Sequence, residues 1–352
     1  MSTNNPNEPK ALTTKRTSRK KNNKRTSRKK KKRKSLLLKT LILLGAVIIL
    51  LCVATLAMVH SKFNKLDNTE INKDDLGLVS SEELGEYSDY EKIKNIALFG
   101  IDSEDGNGRS DSIIIATIDP VHDKLKITSI MRDSYVSISG HGNDKINHAY
   151  AYGGAQLAIK TLNENFGLNI EDFVAVDFAS LPKIIDLLDG IELDITSEEI
   201  NCSININDHI NHINKEIGTN VEFITTPGLQ KVNGVQALAY SRIRYTSGGD
   251  SERTTRQRTV LNKLFEKALS LSPTQYLSLI DKILPFVKTS LNTNDILSLA
   301  TKVLTMGDHT LEQERFPRDA YLWDENINGV YYLGFDRDST KQQMMDYIFD
   351  DK

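Results

Sequence analysis

Residues 240–258 of this 352-residue chain contain five arginines in a short stretch. They are Arg242, Arg244, Arg253, Arg256 and Arg258. A guanidinium group binds phosphate oxygens through two parallel hydrogen bonds, so a cluster of arginines is typical of a site for a ligand with several negative charges. A solvated helix face is the alternative for residues 253–258. The stretch therefore indicates a candidate anion site, provided that the surrounding elements bring its arginines together.

Other charged residues fall at the ends of predicted strands or in the loops that follow them. They are Asp102, Arg109, Asp111, Arg132, Asp133, Lys145, Asp177 and Asp250. Ligands of α/β proteins bind at such strand ends and loops. Two aspartates there could hold one Mg²⁺, which takes few protein carboxylates and keeps water or phosphate oxygens as its other ligands. We therefore predict a pyrophosphate or polyphosphate site with Mg²⁺. Turn formation by single aspartates and a surface ion pair of Arg132 with Asp133 are the alternatives.

Several catalytic signatures are missing from the sequence. No GxxxxGK[ST], GxGxxG, HExxH or CxxC pattern occurs, and the seven histidines show no metal-binding spacing. His209 and His212 are predicted to lie on a loop. Cys52 and Cys202 are not expected to form a disulfide with each other. We therefore do not expect an enzyme driven by nucleotide hydrolysis.

The pattern of apolar residues predicts an α/β fold with a central mixed β-sheet flanked by helices. Strands are predicted over "IKNIALFGID", "SIIIATIDP", "KLKITSIMRD", "EDFVAVDF" and "IELDI". Helices are predicted after Gly154, over "SLPKIIDLLDG" with Ser180 as N-cap, and over "VNGVQALAYSR", "DSERTTRQRTVLNKLFEKAL", "PTQYLSLIDKILPFVKT" and "NTNDILSLATKVL". From about residue 309 onward no element is predicted.

Basic residues are concentrated at the N-terminus. Residues 1–39 contain 16 Lys and Arg residues and one acidic residue, Glu8. The remaining chain has 29 basic and 46 acidic residues, a net charge of −17. Because the first 39 residues have almost no apolar side chains, we predict a disordered basic tail.

The segment Thr40–Val59 has 20 residues without a charge. A helix of this length spans about 30 Å, the thickness of the hydrocarbon core of a bilayer. A nucleic-acid-binding tail and a cleaved signal peptide are the alternatives, but "MVHSKF" offers no small-residue cleavage site. The basic tail directly before the span predicts a single-pass anchor in the cell membrane, with the N-terminus in the cytoplasm and the body outside.

The predicted organisation has five segments. Residues 1–39 form the cytoplasmic tail, 40–60 the transmembrane helix and 61–92 a polar extracytoplasmic stalk. Residues 93–310 form the catalytic domain with its C-terminal helices, and 311–352 a C-terminal extension. The basic tail is also expected to contact anionic membrane lipids.

Several separate motifs together resemble the LytR-CpsA-Psr family of bacterial cell-envelope proteins. They are "NIALFGIDSEDGNGRSDSIIIATIDP", "ITSIMRDSYVSI", "KINHAYAYGG", "VDF" and "ALAYSRIRYTSGGDSERTTRQRTVL", which occur in this order between residues 95 and 270. The resemblance implies a phosphotransferase that binds a polyprenyl-pyrophosphate and transfers the attached anionic glycopolymer, a teichoic acid or capsule, to peptidoglycan. The single predicted span with the body outside agrees with this family.

The resemblance also implies roles for single residues. It implies Asp102 and Asp111 as Mg²⁺ ligands. It implies substrate binding by a basic and polar set that consists of Arg109, Arg132, Lys145, Arg242, Arg244, Arg253 and Gln257. The catalytic set that it implies consists of Arg132, Arg242, Arg244 and Asp250, with Asp102 or Asp250 as candidate base. The sequence departs from the family at Met131, where proline is usual, and at Ser134, where threonine is usual.

Two other functions fit the same residues. A binding protein or sensor would hold the polyprenyl-pyrophosphate without chemistry, and an envelope-linked transcriptional attenuator would act on gene expression. Direct binding to nucleic acid is not expected, because the basic residues lie in a predicted disordered tail beside a membrane span.

Overall fold

The computed structural model of the protein describes residues 67–103, 108–272, 275, 279 and 282–352. The predicted tail at 1–39, the predicted transmembrane helix at 40–60 and Cys52 lie outside these residues. No helix among the described residues is long and apolar enough to cross a membrane. The described residues belong to one compact unit, which begins at Ser61.

Strands form the centre of this unit. In chain order they are β1 Asp67–Asn68, β2 Lys94–Ile101, β3 Ser110–Asp119, β4 Lys124–Ile130, β5 Tyr135–Ile138, β6 Gly142–Lys145, β7 Asp172–Asp177, β8 Ile191–Ile195, β9 Gly228–Val232, β10 Lys288–Thr289, β11 Leu311–Phe316, β12 Leu322–Ile327 and β13 Val330–Phe335. The main sheet of the described residues has the order β1-β10-β7-β2-β3-β4-β11. It is mixed, because β7 and β11 run parallel to their neighbours β2 and β4, whereas β3 is antiparallel to both β2 and β4.

The helices of the described residues surround the sheet. They are α1 Ser81–Leu84, α2 His148–Phe166, α3 Ser180–Leu187, α4 Ser197–Asn201, α5 Ile206–Ile217, α6 Gly234–Arg242, α7 Gly249–Leu269, α8 Thr293–Thr305 and α9 Arg337–Phe349. Local sequence explains several of their ends. The Asn233 side chain accepts a hydrogen bond from the backbone of Gln236, and the Gln236 side chain accepts one from Asn233, a capping box that starts α6.

Side chains alternate between the two faces of the sheet along the central strands, so the apolar core is divided between these faces. Ile113 and Ile115 of β3 pack in one apolar cluster with residues of α2 and α9. Ile118 of the same strand packs in another cluster, with Met306 just after α8. Residues that alternate along a strand point to opposite faces, so each face of β3 is covered. The prediction of a mixed sheet flanked by helices is confirmed.

The prediction of a stalk over residues 61–92 is wrong for its described part. Leu76, Leu84 and Tyr87 are buried in the main apolar cluster. Asp67 and Asn68 form β1 at the edge of the sheet. The segment looked like a stalk because its apolar residues are few and widely spaced, but each of these three is covered by the domain.

The prediction of a C-terminal extension at 311–352 is wrong as well. β11 pairs with β4 along its whole length. α9 packs against α2, and it buries Met344, Met345, Ile348 and Phe349. These residues complete the domain that was predicted to end at 310.

Some local predictions also need correction. α2 begins at His148 rather than after Gly154. The backbone leaves helical geometry at Gly153 and Gly154, and φ at Gly154 is 63°. The N-cap of α3 is Ala179 and not Ser180. His209 and His212, predicted on a loop, lie in α5. In the predicted helix "PTQYLSLIDKILPFVKT", the described residues Lys288 and Thr289 form β10 instead.

Candidate active site

The loop between β2 and β3 begins and ends with residues of the candidate site. Asp102 directly follows β2. Its backbone N–H donates a hydrogen bond to the carbonyl oxygen of Arg109 at 2.9 Å, which closes the loop. Gly108 permits this closure, because a Cβ atom there would lie 2.5 Å from the carbonyl oxygen of Asp102.

A register shift places Asp111 beside this loop. Gly100 lies opposite Ser112, whereas the next residue of β2, Ile101, lies opposite Ser110. Asp111 is therefore the additional residue of a bulge. Bulges at strand ends redirect side chains and are frequent beside active sites.

Asp111 accepts hydrogen bonds from two residues that come from other parts of the chain. Arg132, just after β4, donates from Nη1 to Oδ2 of Asp111 at 2.5 Å. Asn147, just before α2, donates from Nδ2 to Oδ1 at 3.1 Å. The Arg132 carbonyl oxygen accepts the backbone N–H of Asn147. The ends of β3 and β4 and the start of α2 are therefore joined at one carboxylate.

Asp133 extends this network to Lys145. Lys145 at the end of β6 donates from Nζ to Oδ1 of Asp133 at 2.7 Å. Burial alone would raise the pKa of Asp133, but the hydrogen bond from Lys145 and the charge of Arg132 outweigh it and lower this pKa. Asp133 is thus ionised at neutral pH and holds both cations in place.

Arg242 is the last residue of α6 and reaches Asp102. Its Nη2 donates to Oδ1 of Asp102 at 3.1 Å, and its Nη1 lies 3.8 Å from a carboxylate oxygen of Glu216. The guanidinium carbon lies 4.1 Å from the ring centroid of Phe178, which is stacking distance. Arg244 follows two residues later in the loop; it is exposed and forms no ion pair with a described residue. The chain turns from helix to extended backbone at Ile243.

The first turn of α7 adds Asp250 and Arg253. Arg253 donates from Nη2 to Oδ2 of Asp250 at 3.0 Å. Its side chain is only 3% exposed. Burial and the charge of Arg132 are the main causes that lower its pKa to about 10. It remains protonated at neutral pH, and the charge of Arg244 is a further cause that lowers its pKa.

Three of these arginines have buried nitrogens without a hydrogen-bond partner among the described residues. They are Nε of Arg132, Nη1 of Arg242 and Nε of Arg253. An unsatisfied buried donor costs about 1–3 kcal/mol, and more when it is charged, so native proteins contain few of them. These donors could bond a ligand that presents several acceptor oxygens.

The arginine stretch 240–258 divides into two groups. Arg242, Arg244 and Arg253 belong to the site. Arg256 instead donates from Nε to the buried carboxylate of Glu199 at 2.7 Å, and Arg258 is buried beside Thr255. The anion site stays a prediction for the first group, whereas Arg256 and Arg258 lie in the interior rather than on a solvated helix face.

Two predicted site residues make no side-chain hydrogen bond with the described residues. Arg109 is exposed beside the loop. Gln257 lies one turn after Arg253 on α7 and is half-buried. The structure gives neither of them a partner within the part of the chain that it describes, and their roles stay predictions.

Sequence reasoning missed Asn147, which bonds Asp111, and it did not single out His209. Asn147 is 2% exposed, and its Oδ1 has no partner among the described residues. His209 lies on α5, and burial, followed by the charges of Arg242 and Arg244, lowers its pKa to about 4. Asn147 could have been identified from the sequence, because it lies in the quoted motif "KINHAYAYGG". No sequence feature indicated His209, because the helix that contains it was not predicted.

A small pocket of about 60 Å³ with a mixed polar and apolar lining, which includes Lys288, lies at the ends of β2, β7 and β10. Its apolar lining consists of Ile101, Tyr150, Ala175, Pro285, Phe286 and Val287. Asp177, which was predicted at a strand end, also lines it. The pocket therefore combines apolar and charged side chains on the β10 side of the sheet.

Metal-binding capacity in the described residues is limited. They contain no group of three or more His, Cys, Asp or Glu side chains that could hold a metal. Asp102 and Asp111 each bond an arginine, but each carboxylate keeps further lone pairs, and the buried Oδ1 of Asn147 offers another oxygen. Such a set of few oxygens fits Mg²⁺ if phosphate oxygens and water supply the other ligands.

The chain is similar to known proteins in both sequence and fold. A family model for the LytR_cpsA_psr family matches residues 54–347. Regulatory protein MsrR of Staphylococcus aureus is 29% identical over 264 residues, which are 74% of this chain and 75% of MsrR. Polyisoprenyl-teichoic acid–peptidoglycan teichoic acid transferase TagU of Enterococcus faecalis is 34% identical over 213 residues, which are 58% of this chain and 64% of TagU.

Solved structures show the same fold. The structure of TagT bound to LIIa-WTA superposes with a TM-score of 0.62 at 26% sequence identity. The match covers 81% of this chain and 99% of the TagT chain.

Proposed function

The chain belongs to the LytR-CpsA-Psr family, and from this premise we propose that it is a phosphotransferase that moves an anionic glycopolymer from a polyprenyl-pyrophosphate carrier to peptidoglycan. The observation that carries the proposal is the set of three buried guanidinium nitrogens, on Arg132, Arg242 and Arg253, that make no hydrogen bond with the described residues. A pyrophosphate presents enough acceptor oxygens for all three. The relative TagU, whose name describes a teichoic acid transfer between a polyisoprenyl carrier and peptidoglycan, supports the same reaction.

In the proposed reaction, a sugar hydroxyl of peptidoglycan attacks the phosphorus nearer the polymer. A new P–O bond forms, the bond to the bridging oxygen breaks, and polyprenyl phosphate leaves with that oxygen. Arg242 and Arg244 stabilise the negative charge that develops on the leaving phosphate, and Arg132 and Arg253 bind the phosphate that is transferred. Positioning and charge stabilisation supply most of the rate enhancement in phosphoryl transfer.

The hydroxyl proton needs an acceptor, and Asp102 and Asp250 are the candidates. Each carries one arginine partner, Arg242 and Arg253 respectively. Each keeps an oxygen that makes no hydrogen bond with the described residues. Either carboxylate can take the proton, and the transfer assay below distinguishes them through the asparagine variants Asp102→Asn and Asp250→Asn.

We also propose that Asp102 and Asp111 hold Mg²⁺, with the Oδ1 atom of Asn147 nearby. When bound, the ion supplies additional positive charge to the pyrophosphate oxygens. Activity that persists unchanged in excess chelator, with Arg242 intact, would remove Mg²⁺ from the proposal.

The pocket beside Ile101 and Phe286 is the proposed entrance for the polyprenyl chain. The predicted span at 40–60 would keep the site at the membrane that contains the lipid carrier and would raise its effective concentration. We propose that the body lies outside the cell membrane. A reporter that is active only in the cytoplasm, fused after Lys352, should therefore be silent, and an active reporter would contradict this topology.

The transfer test uses the full-length protein in liposomes with a polyprenyl-pyrophosphate-linked teichoic acid and peptidoglycan glycan strands. We expect polymer-bearing glycan and one released polyprenyl phosphate for each transfer. The double change Arg132→Ala with Arg242→Ala should abolish both products. Arg318→Ala, which changes a half-buried ion pair with Glu314, is the control. Failure of the wild-type protein to release polyprenyl phosphate would contradict the proposal.

A second candidate is a non-catalytic sensor of the lipid pyrophosphate. The observation that favours it is the regulatory name of the relative MsrR. A sensor would retain the lipid pyrophosphate with the affinity that the arginines provide, but it would release no polyprenyl phosphate. The same assay therefore separates the two candidates.

A further inference from the structure

An exposed strip of aromatic rings lies beside the arginine site, and the proposed reaction does not use it. Tyr152 on α2 is 46% exposed and Tyr331 on β13 is 45% exposed. The ring of His141 stacks on Tyr152 with centroids 4.4 Å apart. Tyr332 packs against Tyr135 with centroids 4.9 Å apart. We call Tyr152, Tyr331, Tyr332 and His141 the tyrosine strip.

The tyrosine strip is fixed to the site by the backbone. The N–H of Leu333 donates to the carbonyl oxygen of Asp133 at 2.9 Å, and Ser134 and Leu333 form a parallel bridge. The strip and Arg132 are thus held by the same loop after β4. Lys145 lies between them, with Nζ 5.6 Å from the Tyr331 centroid and 5.7 Å from the Tyr332 centroid.

Carboxylates orient the hydroxyl groups along the strip. Tyr152 donates to Oδ2 of Asp144 at 2.6 Å, and Tyr331 donates to Oδ1 of Asp324 at 2.9 Å. The hydrogen bond to Asp144 raises the pKa of Tyr152, so the phenol stays protonated at neutral pH. The rings are held in place, about half of Tyr152 and of Tyr331 remains exposed to solvent, and the neighbouring carboxylates can accept hydrogen bonds from a ligand.

Neutral sugars fit this combination of groups. The C–H groups of a pyranose ring carry partial positive charge and pack on the negative face of an aromatic ring, while its hydroxyl groups donate to carboxylates. A polyanion fits less well, because Asp144 and Asp324 would repel it. The strip is therefore suited to a glycan rather than to a charged polymer.

The geometry of the proposed reaction indicates whether this glycan belongs to the donor or to the acceptor. Attacking and leaving oxygens lie roughly in line in phosphoryl transfer. The pocket lies at the ends of β10, β7 and β2, whereas the strip adjoins the loop after β4. Tyr150, which lines the pocket, and Tyr152 of the strip are two residues apart on α2, about 200° around the helix axis. The pocket and the strip thus lie on opposite sides of this part of α2.

We propose that the tyrosine strip binds the acceptor, a peptide-free stretch of peptidoglycan glycan, and presents its hydroxyl to the phosphorus from the side opposite the lipid. This inference rests on the proposed function for the identity of the glycan. The binding of a glycan to the strip can be measured without any transfer.

The experiment measures the binding of two ligands separately, each to the full-length protein in detergent. One probe is peptidoglycan glycan strands freed of peptide, and the other is a polyprenyl pyrophosphate. Trp323 is the single tryptophan of the chain and lies in the β12–β13 hairpin opposite Gly334. Its fluorescence therefore reports on the hairpin that carries Tyr331 and Tyr332.

We expect Tyr152→Leu and Tyr331→Leu each to weaken binding of the glycan strands about 10-fold, as loss of an interfacial aromatic contact commonly does. Binding of the polyprenyl pyrophosphate should not change. Tyr331→Phe keeps the ring and should restore most of the glycan affinity. Phe223→Leu, at an aromatic residue that is 54% exposed elsewhere, is the matched control and should bind both ligands as the wild type does.

Wild-type protein that does not bind glycan strands, or leucine variants that bind them as well as the wild type, would overturn the inference. Equal weakening by Phe223→Leu would also overturn it, since the effect would then not be specific to the strip. Glycan binding that depends on the strip in a protein without transfer activity would support the strip as a glycan site and contradict the proposed function alone.

Discussion

At the scale of single residues, the site is defined by guanidinium groups that are partly bonded and partly free. Arg242 uses Nη2 for Asp102 and leaves Nη1 without a hydrogen bond among the described residues. A lysine keeps the charge but has no planar fork with which to bond the aspartate and the ligand together. The shape of the cation and not only its charge should therefore determine activity.

We predict that Arg242→Lys lowers the transfer rate about 10- to 150-fold, because one charge-assisted hydrogen bond contributes roughly 1.5–3 kcal/mol. The measurement is release of polyprenyl phosphate at saturating donor. Arg318→Lys is the control, since its guanidinium bonds the half-buried Glu314 away from the site. A rate for Arg242→Lys equal to that of the control would show that only charge is needed.

His209 is predicted to make stability depend on pH. Its pKa is lowered from 6.5 to about 4 by burial and by Arg242 and Arg244. The unfolded chain therefore binds more protons than the folded chain between these values, so the free energy of unfolding should fall as pH decreases from about 6.5 to 4.

The test compares urea unfolding at pH 7 and pH 5 for the wild type and His209→Gln. The variant should lose part of the pH dependence, on the order of 1 kcal/mol once the exposed part of the ring is considered. His212→Gln is the control, because His212 lies on the same helix with a side chain 60% exposed. Identical pH dependence in all three proteins would show that His209 is protonated equally in both states.

At the scale of elements, α7 supplies one arginine to the candidate site and another to an ion pair in the interior. Arg253 faces the anion site, and Arg256 lies one turn further on and bonds Glu199 of α4. Glu199 is 4% exposed and also accepts the backbone N–H of Thr196 in the capping box of α4. The ion pair of Arg256 with Glu199 thus fixes the helix that carries Asp250 and Arg253.

We predict that Glu199→Ala lowers the free energy of unfolding by about 3–5 kcal/mol, because it leaves the Arg256 charge buried with a weaker partner. Glu252→Ala should cost no more than about 1 kcal/mol, since Glu252 bonds the same guanidinium but its side chain is 40% exposed. Chemical denaturation of both variants measures the difference. Equal losses would mean that burial of the partner is not what matters.

At the scale of the whole molecule, both terminal parts of the described chain belong to the domain. The C-terminal part supplies β11 to the sheet and α9 to the core, where Met344 and Ile348 are fully buried. Truncation of a single buried large side chain commonly costs 2–5 kcal/mol, and a domain has only about 5–15 kcal/mol in total.

We therefore predict that a chain ending at residue 310 does not fold. It should be degraded rapidly in limited proteolysis, whereas deletion of residues 1–20, within the predicted disordered tail, should leave the resistant fragment unchanged. A resistant fragment of unchanged stability in the chain that ends at 310 would show that the C-terminal part is dispensable.

The sequence by itself determined the central strands and predicted the chemical class of the site. The apolar residues of β2, β3, β4 and β7 are recognisable because the sheet is covered by the rest of the domain, and β8 alternates buried apolar residues with exposed acidic ones. The charged residues at the strand ends were recognisable as candidates. The family resemblance identified Asp102, Asp111 and Arg132 as site residues, and the structure joins each of them to the ion-pair network of the site.

Only the tertiary structure decided which arginines share the site and where the domain ends. Arg242 and Arg256 lie in the same arginine-rich stretch, and the sequence does not distinguish them. Their partners Asp102 and Glu199 lie 140 and 57 residues away along the chain. β11 has the polar sequence LEQERF and is held by pairing with β4, which leaves no local apolar period to recognise. Such partners are set by packing between distant segments, so the apolar periodicity of one segment does not indicate which other segment it will contact.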